Sequence, residues 1–213
     1  MNLADAARDW IGRGVYIVPV PYRSKAPILK GWNALRIGLA DVPKYFTGGP
    51  QNIGVLLGEP YGLSDLDLDC REAMDAAAVL APATGMIFGR ASKPASHRFY
   101  LCDPPTRIRK YIDPVDKTCL VELRGLKADG TVGLETVIPP SVHEHGEEIR
   151  FEPGFDREPA NIDEEVLTGS VARIAAAALL ARHWPAASRS HSCRAVCSLY
   201  SILRSRNQRA NPA

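Results

Sequence analysis

No stretch of this 213-residue sequence approaches the roughly 20 consecutive apolar residues that a membrane helix needs, so no membrane span is expected. The opening MNLADAARDW carries acids where a secretion signal would carry basic and then apolar residues, and the chain is expected in the cytoplasm. Cysteine is scarce: Cys70, Cys102, Cys119, Cys193 and Cys197 are odd in number and irregularly spaced, which suits reduced thiols and not a disulfide framework. The nearest thing to a zinc pattern is HSCRAVC, with His191, Cys193 and Cys197, but it lacks a fourth ligand, and no zinc is expected. The Gly-x-x-x-x-Gly-Lys-Ser/Thr phosphate loop is absent too, which excludes an ATPase motor from the sequence, and no internal repeat is visible.

What remains, at 46% hydrophobic and 23% charged, suits one main globular domain with an appendage. The net charge of +2 conceals an uneven distribution. Between Arg90 and Lys127 the basic residues Arg90, Lys93, Arg98, Arg107, Arg109, Lys110, Lys117, Arg124 and Lys127 are set against only Asp103, Asp113, Asp116 and Glu122. Such an excess suits phosphates, although a solvated basic face would look the same.

Along the chain, LADAARDWIGRG predicts an amphipathic helix ended at Gly12 or Gly14, followed by a strand through Val20. A loop holds Arg23, Lys25 and Lys30. QNIGVLLGEPYGLSDLDLDC predicts two strands about a Gly-Glu-Pro-Tyr-Gly turn, and REAMDAAAVLAP a helix stopped by Pro82. GMIFGR and SHRFYLCD predict a strand pair around the loop ASKPA, and CLVELRG, GLETVIPP and EEIRFEP predict further strands. After Pro153 an acidic, loop-like segment leads to an Ala-rich helix, then to a stretch from Arg182 onward with six arginines and no acid. The fold class is α+β with a mixed sheet, with helix concentrated toward the ends.

The chemistry starts at YGLSDLDLDC. Side chains alternate along a strand, so Asp65, Asp67 and Asp69 share one face while Leu66 and Leu68 take the other. Three adjacent carboxylates repel one another unless a cation joins them, and magnesium or manganese is the hard cation that carboxylate oxygens favour. An exposed acidic edge is the plainer alternative. An EF-hand calcium loop is excluded, because Cys70 stands where glycine is needed and Ala76 where the bidentate glutamate is needed.

Three other segments add candidates. In GRASKPASHRFY, His97 follows Ser92, Lys93 and Ser96, a set able to contact a phosphate chain, although a solitary histidine is often structural. In CLVELRG, Glu122 and Arg124 share a strand face, either as a surface pair or as a further metal ligand beside a phosphate-gripping guanidinium. TVIPPSVHEHGEEIRF, with Ser141 and His143 after paired prolines, reads as a rigid loop.

In this order the motifs resemble the N-terminal primase-polymerase (prim-pol) domain of the archaeo-eukaryotic primase superfamily, of the kind found in phage and plasmid replication proteins. GRGVYIVPVPYRSKAPILKGWNA resembles the family's opening strand, Lys-x-Pro loop and Gly-Trp; QNIGVLLGEPYGLSDLDLD its Asn-x-Gly strand and Asp-x-Asp metal motif. SKPASHRFY resembles its Ser-x-His nucleotide motif, and VELRG with TVIPPSVH its acid-x-Arg-Gly strand and Pro-Pro-Ser loop. The likeness covers residues 8–152.

The resemblance implies an RRM-like catalytic unit with its active site in a cleft between two α/β sub-units. It implies a catalytic domain over residues 1–165, with residues 166–213 an Ala-rich helix and basic tail, read as the remnant of a truncated following region or, alternatively, as a nucleic-acid-binding tail. Asp67, Asp69 and Glu122 would be catalytic and hold two Mg²⁺ or Mn²⁺ ions, with Asp65 a possible further ligand. His97, Arg124, Ser96, Lys93 and Lys25 would bind the nucleotide. The activity implied is template-dependent nucleotidyl transfer from nucleoside triphosphates to a primer 3′-hydroxyl or an initiating nucleotide, a DNA primase/polymerase reaction in replication. Its partners would be single-stranded DNA template and primer, nucleoside triphosphates and a replicative helicase on another chain. The alternatives are another metal-dependent phosphoryl-transfer enzyme such as a nuclease, or an inactive nucleic-acid-binding module. The family usually has aspartate in place of Glu122 and small glycines in place of Ala95 and Ser96.

Overall fold

The computed structural model describes residues 2–184; the possible zinc ligands His191, Cys193 and Cys197 and most of the arginine-rich tail lie outside the described residues. The described chain is built on two sheets. The smaller has the order β1 (Ile17–Pro21), β2 (Gln51–Leu56), β8 (Glu135–Ile138), all antiparallel. The larger runs β6 (Arg109–Ile112), β7 (Cys119–Arg124), β3 (Leu63–Leu68), β5 (Lys93–Cys102), β4 (Met86–Arg90), β9 (Arg150–Asp156), again antiparallel. A short β10 (Ala160–Ile162) adds a parallel pairing to β5, so the larger sheet is mixed, as the sequence predicts.

Alternation along the central strand β3 separates two environments. Leu66 and Leu68 enter a core closed by α3 (Arg71–Leu80) and α4 (Glu164–His183). The helix α3 turns Ala73 and Ala77 inward, and these small side chains allow close approach to the sheet. In α4 the buried Leu167, Ser170, Val171, Ile174, Ala175 and Ala178 follow helical spacing and form one stripe. Asp163 caps α4, accepting from the backbone N–H groups of Glu165 at 2.8 Å and Val166 at 3.3 Å.

On the opposite face, a second core joins α1 (Leu3–Gly12) and the small sheet to Leu63, Met86, Phe88 and Phe99. The buried Trp10 of α1 donates its indole N–H to the carbonyl of Pro139 at 2.8 Å, tying that helix to the loop after β8. Asp65 and Asp67 lie on this face of β3, so burial of Leu66 and Leu68 against the helices delivers the acids to the space between the sheets.

The turn before β3 depends on Gly62. It has φ +69°, and a Cβ there would stand 1.8 Å from the Cys102 carbonyl oxygen. Gly62→Ala is therefore expected to cost at least ~2 kcal/mol, read as a lower urea midpoint with an unchanged slope.

The differences from expectation are local. ASKPA is not a five-residue loop: β5 begins at Lys93, leaving only Ala91 and Ser92 to turn the hairpin. A register shift between Phe88 and Arg90 and a positive φ at Ala95 form a bulge that admits Pro94 to the strand. The strands β6 and β10 and the short α2 (Val42–Tyr45) carry too little apolar pattern to announce themselves.

Candidate metal and nucleotide site

Strand register brings the acids of separate sequence segments together. In the β3–β7 ladder Asp67 stands opposite Glu122 and Asp65 opposite Arg124; in the β3–β5 ladder Asp67 also flanks His97. Asp69 follows just past the end of β3, fixed by its backbone N–H to the Leu120 carbonyl at 3.0 Å. Asp67, Asp69 and Glu122 line a cavity of about 650 Å³, with Lys93, Ser96, His97, Lys110, Arg124, Arg90 and Lys25 on its walls. Glu135, Thr136 and Val137 of β8 and His143 close it from the small sheet, so the site lies between the two sheets.

The three aspartates are not equivalent. Asp65 is wholly buried, and its carboxylate accepts from the Thr136 hydroxyl at 2.8 Å and meets His97 Nδ1 at 3.0 Å, with an Arg124 terminal nitrogen at 3.5 Å. Burial opposes its charge, but His97, Arg124 and the two hydrogen bonds outweigh that and hold the carboxyl below the usual range. His97 is the reciprocal case: burial alone would lower it, and Asp65 and Asp67 together raise it above an ordinary imidazole. The ring also stacks on Phe88 at 5.0 Å, which fixes its plane. With Nδ1 held by Asp65, Nε2 is the nitrogen left to donate to a ligand.

Asp67 and Asp69 are differently placed. Asp67 Oδ1 is buried with no hydrogen-bond partner, the state of an oxygen whose chemistry calls for a cation. Lys93 Nζ lies 3.0 Å from Asp69 Oδ1 and 3.5 Å from Asp67 Oδ1. Glu122 is shifted upward, first by burial and further by Asp67 and Asp69, against the opposing pull of Arg124 and Lys110. Burial also pushes the Cys119 thiol up to about 12, assisted by its hydrogen bond to Asp69, so it stays neutral. Three carboxylates on one basic cavity, one with an orphaned oxygen, form a donor set that fits hard divalent cations.

The remaining sequence candidates divide. Ser96 is buried, lines the cavity, and its Oγ has no hydrogen-bond partner. Arg124 is largely committed to structure: its terminal nitrogens donate to Thr136 Oγ1 at 2.9 Å and the Glu135 carbonyl at 2.8 Å, and its Nε, without a hydrogen bond, lies 3.6 Å from Glu122 Oε2. Lys25 sits at the rim, ion-paired with Glu144.

Two ionisable cavity residues were not singled out by sequence as functional. Glu135 belongs to β8, is 6% exposed, and has an unpartnered Oε2; burial pushes it up to about 7, offset by Arg124 and reinforced by Asp65. An acid in a strand as apolar as GLETVI was the available signal. Because its folded value lies above 4.5, its contribution is complete below that pH and is lost as pH rises through 7. Glu135→Gln is expected to retain ~3 kcal/mol that the wild type loses across this window, measured by urea unfolding at pH 4.5 and 8. His143, in the segment read as a rigid loop, is the other: it is 6% exposed and on the cavity wall.

His143, Glu144 and His145 also place one potential ligand atom each within 4.8 Å of one another. The His143 atom that approaches Glu144 is Nε2, at 4.0 Å from Oε1, and Glu144 Oε1 also meets His145 Nε2 at 3.8 Å. His143 Nδ1 accepts the His145 backbone N–H at 3.3 Å, which puts the proton of a neutral ring on Nε2, and Glu144 is paired with Lys25.

Carboxylates from adjacent strands over a basic cavity, set on a largely antiparallel sheet backed by helices, form a site whose donors fit metal-dependent phosphoryl-transfer chemistry. The chain belongs to the bifunctional DNA primase/polymerase N-terminal (Prim-Pol) family, whose sequence model matches residues 7–165. At the level of that family, its chemistry is DNA primase/polymerase-type nucleotidyl transfer on DNA and nucleotide substrates. No curated protein matches the chain. Among the described residues, no helix is long and apolar enough to cross a membrane.

Proposed function

We propose that this chain carries out template-directed transfer of a nucleotide from a nucleoside triphosphate to a primer 3′-hydroxyl or an initiating nucleotide. The observation that carries the reading is the convergence of Asp67, Asp69 and Glu122 on one cavity with His97 directly alongside, in a chain of the Prim-Pol family.

Asp67, Asp69 and Glu122 would hold divalent magnesium or manganese. When bound, such ions lower the pKa of an attacking hydroxyl and neutralise charge on the transferring and leaving phosphates. The protein's own part is positioning and electrostatics. Asp65 orients His97 and favours its protonated form, so its Nε2 presents a donor to the triphosphate. Ser96 Oγ and Arg124 Nε, both buried and without a hydrogen bond, supply further donors, and Lys25 and Arg90 bring positive charge from the rim and wall. Asp65 itself supports the site and does not ligate, because its oxygens are taken by Thr136 and His97. The base would be chosen by pairing with a template strand, which the chain need only grip through its phosphates, with strong salt dependence.

The test is incubation of the full chain with primed or unprimed single-stranded DNA, nucleoside triphosphates and Mg²⁺ or Mn²⁺, with products resolved by length. Longer strands support the proposal. Shortened strands would make the chain a nuclease, and binding with neither product would make it a non-catalytic module.

A further inference from the structure

Lys93 hydrogen-bonds Asp69 and stands within ion-pair distance of Asp67, the two carboxylates proposed to receive metal, and it does so from a rigid base. Its backbone opens β5 opposite Arg90, and the neighbouring turn is clamped by Glu147, which accepts from the Ser92 N–H at 2.7 Å and hydroxyl at 2.6 Å and pairs with Arg90 at 3.1 Å. Beyond that base the side chain is a flexible four-carbon stem ending in a compact, mobile charge. The side chain is only 16% exposed, and its ammonium lies at hydrogen-bonding distance from Asp69 and 3.5 Å from Asp67.

A divalent cation held by these carboxylates would bring like charge close to Nζ, an arrangement that disfavours both ions remaining. We propose that Lys93 is the resident counter-ion of Asp67 and Asp69, that divalent cations displace it, and that the displaced ammonium is taken up by the phosphates of the incoming nucleotide. The inference rests on the metal-dependent reading of the site. It makes Lys93 a positioning residue that links the two binding events. Before loading, the lysine neutralises the acids and competes with metal. After loading it is a free cation in a cavity whose other walls carry His97 and Arg90, and a phosphate is the acceptor that satisfies it. Nucleotide and metal therefore favour each other's binding by more than their direct coordination supplies, and the lysine holds the acidic pair together when neither is present.

Lys110 provides the control. It lines the same cavity with the same charge and stands opposite Glu122 in the β6–β7 ladder, whereas Lys93 bonds Asp69 directly. Binding of Mn²⁺ to the full chain without nucleotide, followed by the electron paramagnetic resonance signal of the free ion, separates the two. Lys93→Met is expected to tighten Mn²⁺ by about tenfold and Lys110→Met by less than about threefold, toward the low end of coupling free energies. Equal effects from the two substitutions, or none from Lys93→Met, would overturn the exchange. A second measurement avoids mutation: acylation of the Lys93 amine in the wild type, read by peptide mass, is expected to rise several-fold when Mg²⁺ is added, and an unchanged yield contradicts displacement. If wild type and Lys93→Met alike bind no Mn²⁺, the metal-dependent reading itself falls, an outcome distinct from equal binding by both.

Discussion

Replacing Asp67 or Asp69 by alanine is expected to lower nucleotide incorporation by at least about a thousandfold, with the melting temperature nearly unchanged. A bound cation contributes several kcal/mol of charge stabilisation to the reacting groups, and each ~1.4 kcal/mol is a factor of ten in rate. Both carboxylates face the cavity, and the side-chain partner they share is Lys93, so neither truncation opens a core. Single-nucleotide incorporation under saturating substrate, paired with a thermal melt, checks both halves. Retention of activity within about tenfold by both variants would remove these residues from the machinery.

Asp65→Ala is expected to fail in the opposite way, through the fold. It would leave His97 and Arg124 charged and facing a void between the sheets, with the Thr136 hydroxyl also losing its acceptor. Removing one partner from a buried ionic cluster costs about 3–5 kcal/mol, which for a chain of this size lowers the melting temperature by roughly 6–20 °C. The pH dependence has a definite sign. Asp65 is held below its ordinary 3.8, so its contribution is present above that value and lost as pH falls through the folded pKa. His97 is raised above 6.5, so its contribution is complete below that value and lost as pH rises through the folded pKa. The stability gap between wild type and Asp65→Asn is therefore expected to be widest between pH 3.8 and 6.5 and to narrow on either side, measured by urea unfolding across that range. A gap independent of pH would show that the pair is not ionic.

How much of this was legible depended on whether the signal was periodic. The alternation in SDLDL fixed both the burial of Leu66 and Leu68 and the common face of the aspartates, and the structure has that face looking into the cavity. The helix boundaries of α1 and α3 followed from Gly12 and Pro82. Spacing within one strand could not tell the aspartates apart, because what distinguishes Asp65 comes from β5, β7 and β8: His97, Arg124 and Thr136 are 32, 59 and 71 residues away in sequence. Glu135 and His143 were missed as functional candidates for the same reason, since only the closure of the small sheet over the large one brings them to the cavity. The placement of Lys93 in β5 was hidden by Pro94, which reads as a loop residue and is accommodated by a bulge.

The most direct test is template-coded addition of a single nucleotide. A primed strand with one defined templating base, the full chain, Mn²⁺ and each of the four nucleoside triphosphates in turn are incubated and the primer length is read. The account predicts one-nucleotide extension only with the complementary nucleotide, following the template when its base is changed, and vanishing in Asp67→Ala. Extension that ignores the template, no extension by the wild type, or equal extension by Asp67→Ala would contradict it.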